Sequence, residues 1–336
     1  MEAAFPVVGI DVSKKKIDVE VLIQGKAKSK VLENSPGAHQ QLIDWLSKFK
    51  YPLSAMHVCM EATGVYYEQL ALALHAAGLK VSVVNPACIK GYAQTENLRN
   101  KTDAVDAALI ARYCGRMSPA LWTPPPLEQR QLRAWSVRLQ ALKDMRQQEE
   151  NRLEAHTVSG MDEVAAHVTE HISWLNAEIE KLEKDIDDHI DRHPDLKKDA
   201  ELLHSIPGIG GTTVAKVLGQ VGNVRRFDSA KAFAAYLGVT PRQRSSGSSI
   251  HGRTMISRMG HSSMRSALYM PALVAQRHNP VLRAFAERML ATGMAKKAVV
   301  GAVMHKLAHL IYGVISNGKP FDPTYTNKGL AIQDSI

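Results

Sequence analysis

Four carboxylates stand where a metal-dependent reaction on a phosphodiester can be assembled. Asp11 ends the short apolar run PVVGID, and Glu61 follows a second apolar run, AMHVCM. Asp103 and Asp106 are three residues apart in a segment of strong helix formers, so they share one helix face. Hard carboxylate oxygens that converge at the edge of a sheet suit one or two Mg²⁺ or Mn²⁺ ions. Two such ions about 4 Å apart can clamp the attacking and leaving oxygens of a phosphodiester.

Each of these acids also has a purely structural interpretation. Asp11 can cap a turn, and Glu61 can pair with a lysine. The carboxylates of Asp103 and Asp106 can complement the dipole of a helix that Thr102 caps. The prediction of a metal site therefore rests on the four acids together, in the order strand, strand, helix.

A serine-rich segment is the second candidate for chemistry. Residues 245–249 read SSGSS and are flanked by Arg242, Arg244 and Arg253. By composition alone such a segment is a flexible linker. A serine that attacks phosphorus needs activation, and the nearby arginines could neutralise the charge that develops on the phosphate. No obvious base lies beside these serines in the sequence.

A glycine-rich turn precedes a predicted helix in the C-terminal half of the chain. The turn is IPGIG, at 206–210, and the helix is expected to start near Thr212. The pattern is typical of a helix-hairpin-helix, whose backbone amides can hold a DNA phosphate. We therefore predict nucleic-acid contacts at Gly208, Gly210 and Thr212. The alternative is a tight turn between two helices with no ligand.

The distribution of charge also points to a polyanionic partner. The net charge is +9, and residues 229–286 contain no Asp or Glu. A solvated helix face normally mixes both signs of charge, so a stretch with one sign favours phosphate contacts. Eight basic residues lie in this stretch: Lys231, Arg242, Arg244, Arg253, Arg258, Arg265, Arg277 and Arg283. Of these, we predict that Arg242, Arg244, Arg253 and Arg258 contact nucleic acid.

The elements that must position these groups follow from hydrophobic periodicity. The pattern predicts three strands, then a helix, a strand, a helix, a strand and a helix, which is an α/β domain with a mixed sheet. The predicted strands are 6–11, 16–23, 27–32, 55–60 and 79–84, and the predicted helices are 38–49, 66–77 and 103–113.

The remainder of the chain is predicted to be mainly α-helical. The motif WTPPP at 122–126 breaks the pattern and indicates a boundary. Beyond it, Leu175, Ile179, Leu182 and Ile186 follow a 4-3-4 spacing, which fits either an antiparallel coiled-coil hairpin or an ordinary amphipathic bundle helix. The segment 240–252 has no periodicity. We expect three domains, at 1–122, 123–196 and 197–325.

Composition excludes several other classes of protein. With 336 residues and 45% hydrophobic residues, the chain can bury cores, so global disorder is excluded. We find no run of about 18 uncharged apolar residues and no secretory signal pattern, so no membrane segment is expected. Three scattered cysteines argue against a disulfide framework or a structural zinc site and indicate a cytoplasmic protein.

Five motifs together resemble the DEDD-type transposases of the insertion-sequence 110 family, to which Piv-type DNA invertases are related. The resemblance runs from about residue 7 to residue 320. The motifs are GIDVSKKKIDV (9–19), EATGVYYE (61–68), NPACIKGYAQTENLRNKTDAVDA (85–107), SIPGIGGTTVA (205–215) and YLGVTPRQRSSGSS (236–249).

The resemblance implies a RuvC-like RNase H domain, a helical linker and a C-terminal transposase domain. In it, Asp11, Glu61, Asp103 and Asp106 would be the acidic tetrad, and Ser246 would match the family's nucleophilic serine. The resemblance also implies a noncoding bridge RNA that pairs with donor and target DNA. It implies dimers or tetramers in which the acids of one protomer meet the serine of another.

We therefore expect a DNA transposase, that is, a recombinase that cuts and rejoins strands. One alternative is a RuvC-like structure-specific nuclease that uses the same acids without a serine step. Another is a non-catalytic nucleic-acid scaffold, but this would require broken acids, and all four are present.

Overall fold

A computed structural model describes residues 5–62, 64–96, 102–242, 245–246, 250–251, 255–257 and 259–324. The chain divides into two compact units, 1–124 and 125–336. Each unit is built around its own hydrophobic clusters.

The described part of the first unit contains a five-stranded mixed sheet in the order β3-β2-β1-β4-β5. Strands β1 to β3 form an antiparallel meander, and β4 and β5 run parallel to β1. The strands are β1 Val7–Val12, β2 Lys16–Ile23, β3 Lys26–Glu33, β4 His57–Glu61 and β5 Lys80–Val84. The predicted α/β fold with a mixed sheet is confirmed.

Helices cover both faces of this sheet, which is why its central strands are almost continuously apolar. Leu42, Leu46 and Leu70 belong to a cluster on one face, whereas Ile110 and Cys114 belong to a second cluster. A 3-10 helix, Leu53–Ala55, precedes β4. The α-helices are α1 Pro36–Ser47, α2 Glu68–Ala76, α3 Pro86–Thr95 and α4 Asp103–Met117.

Helix α4 lies directly on β1 at Gly9. A Cβ atom at this position would lie 2.2 Å from both the carbonyl oxygen of Ala107 and the amide nitrogen of Ala111. These contacts are to helix backbone, which cannot move aside as a flexible side chain would. The absence of a side chain at Gly9 therefore allows α4 to pack closely on the strand that ends near Asp11.

The second unit begins with two long antiparallel helices, α5 Leu127–Val158 and α6 Asp162–Arg192. Lys143 of α5 forms an ion pair of 2.7 Å with Glu183 of α6. Closer to the turn, Glu149 of α5 lies 3.6 Å from His171 of α6, so the two helices run antiparallel. Of the two alternatives left open by the sequence, the structure therefore shows the helical hairpin.

The remaining helices share one hydrophobic cluster with this hairpin. They are α7 Pro194–His204, α8 Gly211–Lys216, α9 Ala230–Leu237, α10 Ser262–Ala267, α11 Tyr269–His278, α12 Pro280–Ala291 and α13 Lys296–Asn317. A π-helix, Val217–Val221, continues α8, and a 3-10 helix, Val224–Arg226, precedes α9.

Helix α13 is a core helix of this unit. Among the described residues it is the one helix long and apolar enough to cross a membrane, with a mean hydropathy of 1.6. Half of the 18-residue segment that gives this value is buried inside the protein. Buried positions such as Val303, Leu307 and Ile311 recur along the helix with helical spacing, so its apolar composition is explained by packing.

The serine-rich segment contains short strands where the sequence shows no periodicity. Strand β6, Pro241–Arg242, pairs with β9, Met255–Ile256. Strand β7, Ser245–Ser246, pairs with β8, Ile250–His251, in an antiparallel register that sets Ser246 opposite Ile250. Two residues are too few to show an alternating pattern, so sequence periodicity could not reveal these pairs.

Replacement of Gly9 by alanine should destabilise the first unit by about 3 kcal/mol or more, because overpacking against rigid backbone forces the helix off the strand. Thermal or urea unfolding monitored by circular dichroism measures this loss. Gly91→Ala is the matched control, since a Cβ atom there meets nothing within 4 Å and alanine favours the middle of helix α3. If both variants unfold like the unsubstituted chain, α4 does not pack on β1 at Gly9.

Candidate active site

The strand register brings two aspartates together. Asp11 is the fifth residue of β1, and its cross-strand partner in β2 is Asp18. On the other side of β1, Ile10 pairs with Met60 of β4, so Glu61 occupies the next position along the neighbouring strand. Asp11 therefore lies between two strands that both carry acids.

Helix α4 contributes further carboxylates from its first turn. The side chain of Thr102 accepts a hydrogen bond of 3.3 Å from the amide of Val105, and Asp103 is the first helical residue. One carboxylate oxygen from each of Asp11, Asp18 and Asp103 lies within 4.8 Å of the other two. Thr102 is thus the N-cap of α4, as the sequence predicted. The helix that it caps begins with Asp103, which lies close to the acids of the strands.

Asp11 is the electrostatic centre of this group. Burial, followed by the negative charges of Asp103, Asp106, Asp18 and Glu61, raises the pKa of Asp11 to about 6. All four predicted acids thus contribute to one electrostatic site. The three-residue cluster itself contains two of them, Asp11 and Asp103, together with Asp18.

Asp18 is a site residue that the sequence analysis missed. It lies in the alternating segment KIDVEVLI, where a polar residue between apolar ones is normally interpreted as facing solvent. The structure buries it, with 6% of its surface exposed. A prediction of the tight β1–β2 hairpin with its register would have placed Asp18 opposite Asp11, and this was the available signal.

Lys16 forms an ion pair with two of these acids. Its Nζ atom lies 2.8 Å from Oδ2 of Asp103 and 3.2 Å from Oδ2 of Asp18. The hydrogen bonds to Asp103 and Asp18 raise the pKa of Lys16, so its ammonium group is charged at neutral pH.

The donor set fits a divalent cation of the Mg²⁺ or Mn²⁺ type. The cluster offers carboxylate oxygens, the ligands that these hard ions prefer, rather than sulfur or imidazole nitrogen. The pKa of Asp11 is raised first by burial and then by repulsion from the neighbouring acids, and a bound dication would oppose both effects. Asp11 and Asp103 are placed to share such an ion.

The glycine turn of the second unit is held by packing. Gly208 has a φ of +105°, and a Cβ atom there would lie 2.7 Å from the Cβ of Ala275 in α11. Gly210 precedes α8, and a Cβ atom there meets nothing within 4 Å. The hydroxyl of Thr212 accepts a hydrogen bond of 2.8 Å from Lys143. Gly208 therefore has a structural reason to be glycine, whereas the surface at Gly210 is open.

The predicted serine and arginines are described only in part. Ser246 is placed by its backbone, as the last residue of β7. Arg242 is exposed in β6. Arg244, Arg253 and Arg258 lie outside the described residues.

Replacing Asp11 by asparagine should stabilise the metal-free protein at neutral pH. The folded-state pKa is raised from 3.8 to about 6, so this group costs stability as the pH rises from about 4 through about 6. At pH 7.5 the gain in free energy of unfolding should be about 1 kcal/mol, since solvent screens a carboxylate that is only half buried.

Thermal unfolding in the presence of a chelator, at pH 4 and at pH 7.5, measures this effect. Asp44→Asn, at an exposed position of α1, controls for the general effect of removing a carboxylate. An Asp11→Asn variant that is no more stable than the unsubstituted chain at pH 7.5 contradicts the cost of ionising Asp11 through burial and repulsion.

Two family models match the chain. The first, described as a transposase and named for the DEDD motif and IS110, matches residues 8–159. The second, described as the transposase IS116/IS110/IS902 family, matches residues 200–287. Together they match parts of both structural units.

Whole-length relatives have names of the same kind. The chain is 34% identical to the pilin gene-inverting protein of Moraxella bovis, over 94% of this chain and 97% of the relative. It is 25% identical to the transposase for insertion sequence element IS1328 of Yersinia enterocolitica, over 84% of this chain and 89% of the relative.

Among solved structures, T. thermophilus RuvC in complex with a Holliday junction substrate is 17% identical, with a TM-score of 0.27 over 34% of this chain and 96% of that chain. The family assignment rests on the sequence matches. With matches in both units and 34% identity along almost the whole of a gene-inverting relative, the chain belongs to the IS116/IS110/IS902 family of transposases.

Proposed function

We propose that this transposase cuts and rejoins DNA with a divalent metal ion held by its acidic cluster and with a serine nucleophile, under the guidance of a noncoding RNA. The observation that carries the proposal is the gathering of carboxylate oxygens from Asp11, Asp18 and Asp103 within 4.8 Å of one another. Such a cluster is unfavourable without positive charge, of which Lys16 supplies a part, and the family acts on DNA.

In this proposal Asp11, Glu61, Asp103 and Asp106 hold Mg²⁺ or Mn²⁺. When bound, the ion supplies charge neutralisation at the phosphate that reacts. Asp11 and Glu61 come from two adjacent parallel strands, whereas Asp103 and Asp106 come from one turn of α4. Regular elements position ligands more accurately than loops do. Asp18, buried opposite Asp11, supports this arrangement from β2.

Ser246 is the proposed nucleophile. Its hydroxyl oxygen forms a bond to phosphorus while the bond from phosphorus to one deoxyribose oxygen breaks, and that oxygen leaves as a hydroxyl after taking up a proton. A deoxyribose hydroxyl of another strand end then attacks the phosphoserine ester, which restores a phosphodiester and frees the serine. The energy of the phosphodiester is conserved in the phosphoserine ester, so rejoining needs no external source of energy.

Basic residues of the second unit are proposed to hold the DNA backbone. Arg242 is exposed in β6, three residues before Ser245 in the sequence, and Arg244, Arg253 and Arg258 follow it in a segment without acids. The open surface before α8 at Gly210 adds backbone amides that can bind a phosphate, with Gly208 and Thr212 shaping the turn.

Our proposals of RNA guidance and of oligomeric assembly are based on the resemblance to the insertion-sequence 110 transposases. A bridge RNA that pairs with donor and target DNA would supply sequence specificity. Dimers or tetramers would bring the acids of one protomer to the serine of another. The basic balance of the chain, with a net charge of +9, is compatible with such polyanionic partners. We propose a cytoplasmic location for this reaction.

A RuvC-like nuclease without a serine step is the second candidate. The acidic cluster is built within the first unit alone, so hydrolysis by an activated water would require no residue of the second unit. A covalent protein–DNA intermediate separates the two candidates.

Ser246→Ala should abolish the covalent protein–DNA adduct and the recombinant product and leave DNA binding unchanged. The adduct is measured by denaturing gel electrophoresis of a labelled DNA substrate that carries the element ends. Asp106→Asn should lose cleavage and adduct, because the isosteric amide lacks a ligand charge, and a chelator should have the same effect on the unsubstituted protein.

Ser245→Ala is the matched control, since Ser245 is the preceding residue of the same short strand. An adduct in Ser246→Ala but not in Ser245→Ala would assign the nucleophile to Ser245. Unchanged cleavage without any covalent adduct, in the unsubstituted protein and in both variants, would support the nuclease candidate, and cleavage in the presence of a chelator would refute the metal site.

Arg242→Ala should weaken DNA binding and reduce the slope of log affinity against log salt concentration by about one or less, because one phosphate contact releases about one counterion. Lys184→Ala is the control, since Lys184 is exposed on α6 between acidic neighbours. Fluorescence anisotropy from 50 to 300 mM salt, roughly the range over which such contacts weaken, gives the slopes. Equal slopes for all three proteins would exclude a phosphate contact at Arg242.

A further inference from the structure

Lys16 occupies an unusual position for a surface lysine. It begins β2 two residues before Asp18, so both side chains lie on the same face of the strand. From there its Nζ atom lies 2.8 Å from Asp103 and 3.2 Å from Asp18. Asp103 belongs to α4, so this single ammonium group joins the β1–β2 hairpin to the first turn of the helix.

One of these carboxylates, Asp103, is among the four proposed metal ligands, and the other, Asp18, supports them from β2. Asp18 and Asp103 are two of the three residues whose oxygens form the compact cluster with Asp11. Asp18 is buried, and a buried carboxylate without a counter-charge is costly. The ammonium group therefore supplies part of the positive charge that a divalent ion would otherwise bring.

A fixed positive charge also opposes the binding of a second cation nearby. A divalent ion and an ammonium group a few ångströms apart repel each other, and here they would also share the oxygens of Asp103. Lys16 is partly exposed, with 45% of its side chain accessible, so it has room to move away from Asp103.

We propose that Lys16 is a tethered cation, held in place by Asp18, that competes with the divalent metal ion for Asp103. It is a positioning residue: it holds the acids together in the metal-free protein and gives up Asp103 when the ion binds. The inference rests on the proposed metal site and deepens it, because it assigns to this chain a built-in limit on metal affinity.

The experiment measures Mn²⁺ binding to the full-length protein by electron paramagnetic resonance and isothermal titration calorimetry, in the absence of DNA. Lys16→Met keeps the aliphatic stem and removes the charge, so it should bind Mn²⁺ about tenfold more tightly than the unsubstituted protein. Lys16→Arg keeps a charge and should stay within about threefold of the unsubstituted affinity. Lys14→Met, at an exposed position of the turn between β1 and β2, should leave the affinity unchanged.

The outcomes separate this inference from the metal site itself. If Mn²⁺ binds equally to the unsubstituted protein and to Lys16→Met, the competition is refuted while the metal site stands. If neither protein binds Mn²⁺ at millimolar concentration, the proposed metal site fails. If Lys16→Met binds more weakly than the unsubstituted protein, Lys16 assists metal binding, and the inference is overturned.

Circular dichroism and thermal unfolding establish that each variant is folded. If Lys16→Met unfolds, Lys16→Gln provides the same test, because its amide still donates hydrogen bonds to the acids without carrying a charge. Tighter Mn²⁺ binding by Lys16→Gln supports the competition, and equal or weaker binding overturns it.

Discussion

The close packing of α4 on β1 is the contact on which the acidic site depends. It exists because Gly9 has no side chain, so that helix backbone at Ala107 and Ala111 can lie where a Cβ atom would otherwise be. Asp103 lies one turn before Ala107 in the helix, and Asp11 lies two residues after Gly9 in the strand. The close packing therefore brings Asp103 and Asp11 together. A separation larger by one methyl group would open the cluster, so a glycine that carries no chemistry itself sets the distance between the acids.

The same closeness makes the site electrostatically unfavourable by itself. Burial and four neighbouring carboxylates raise the pKa of Asp11 to about 6, and the protein compensates in part with the ammonium group of Lys16. Functional sites often carry such local instability, which the rest of the fold must offset. Here the offset comes from the hydrophobic clusters on both faces of the sheet. A bound dication would attract each of the acids and so outweigh the repulsion among them. Metal binding is therefore expected to stabilise the first unit.

The second unit presents its functional candidates on a different kind of scaffold. A hairpin of two long helices shares a continuous core with the helices that follow, and α13 lies within that core. The proposed nucleophile stands on a two-residue strand, held by a ladder much shorter than those of the first unit. The two chemical elements of the proposed reaction are therefore supported unequally: the acids by a five-stranded sheet and its helices, the serine by a minimal strand pair. A serine that must meet a scissile phosphate only in the assembled complex does not require a rigid position beforehand.

Hydrophobic periodicity is a local property, so the sequence by itself predicted the five strands of the first unit and the helices α1, α2 and α4. Helix α3, Pro86–Thr95, was not predicted. The sequence also supplied Asp11, Glu61, Asp103 and Asp106 as the candidate acids. It also indicated the family. Only the tertiary structure decided that Asp18 and Lys16 belong to the site, since their role follows from a cross-strand register and from a helix that arrives about 85 residues later in the chain. The tertiary structure also distinguished the two turn glycines. Gly208 packs against Ala275 of a helix distant in sequence, whereas Gly210 lies at an open surface. Contacts between elements far apart in sequence leave no periodic signal, and the fold alone brings them together.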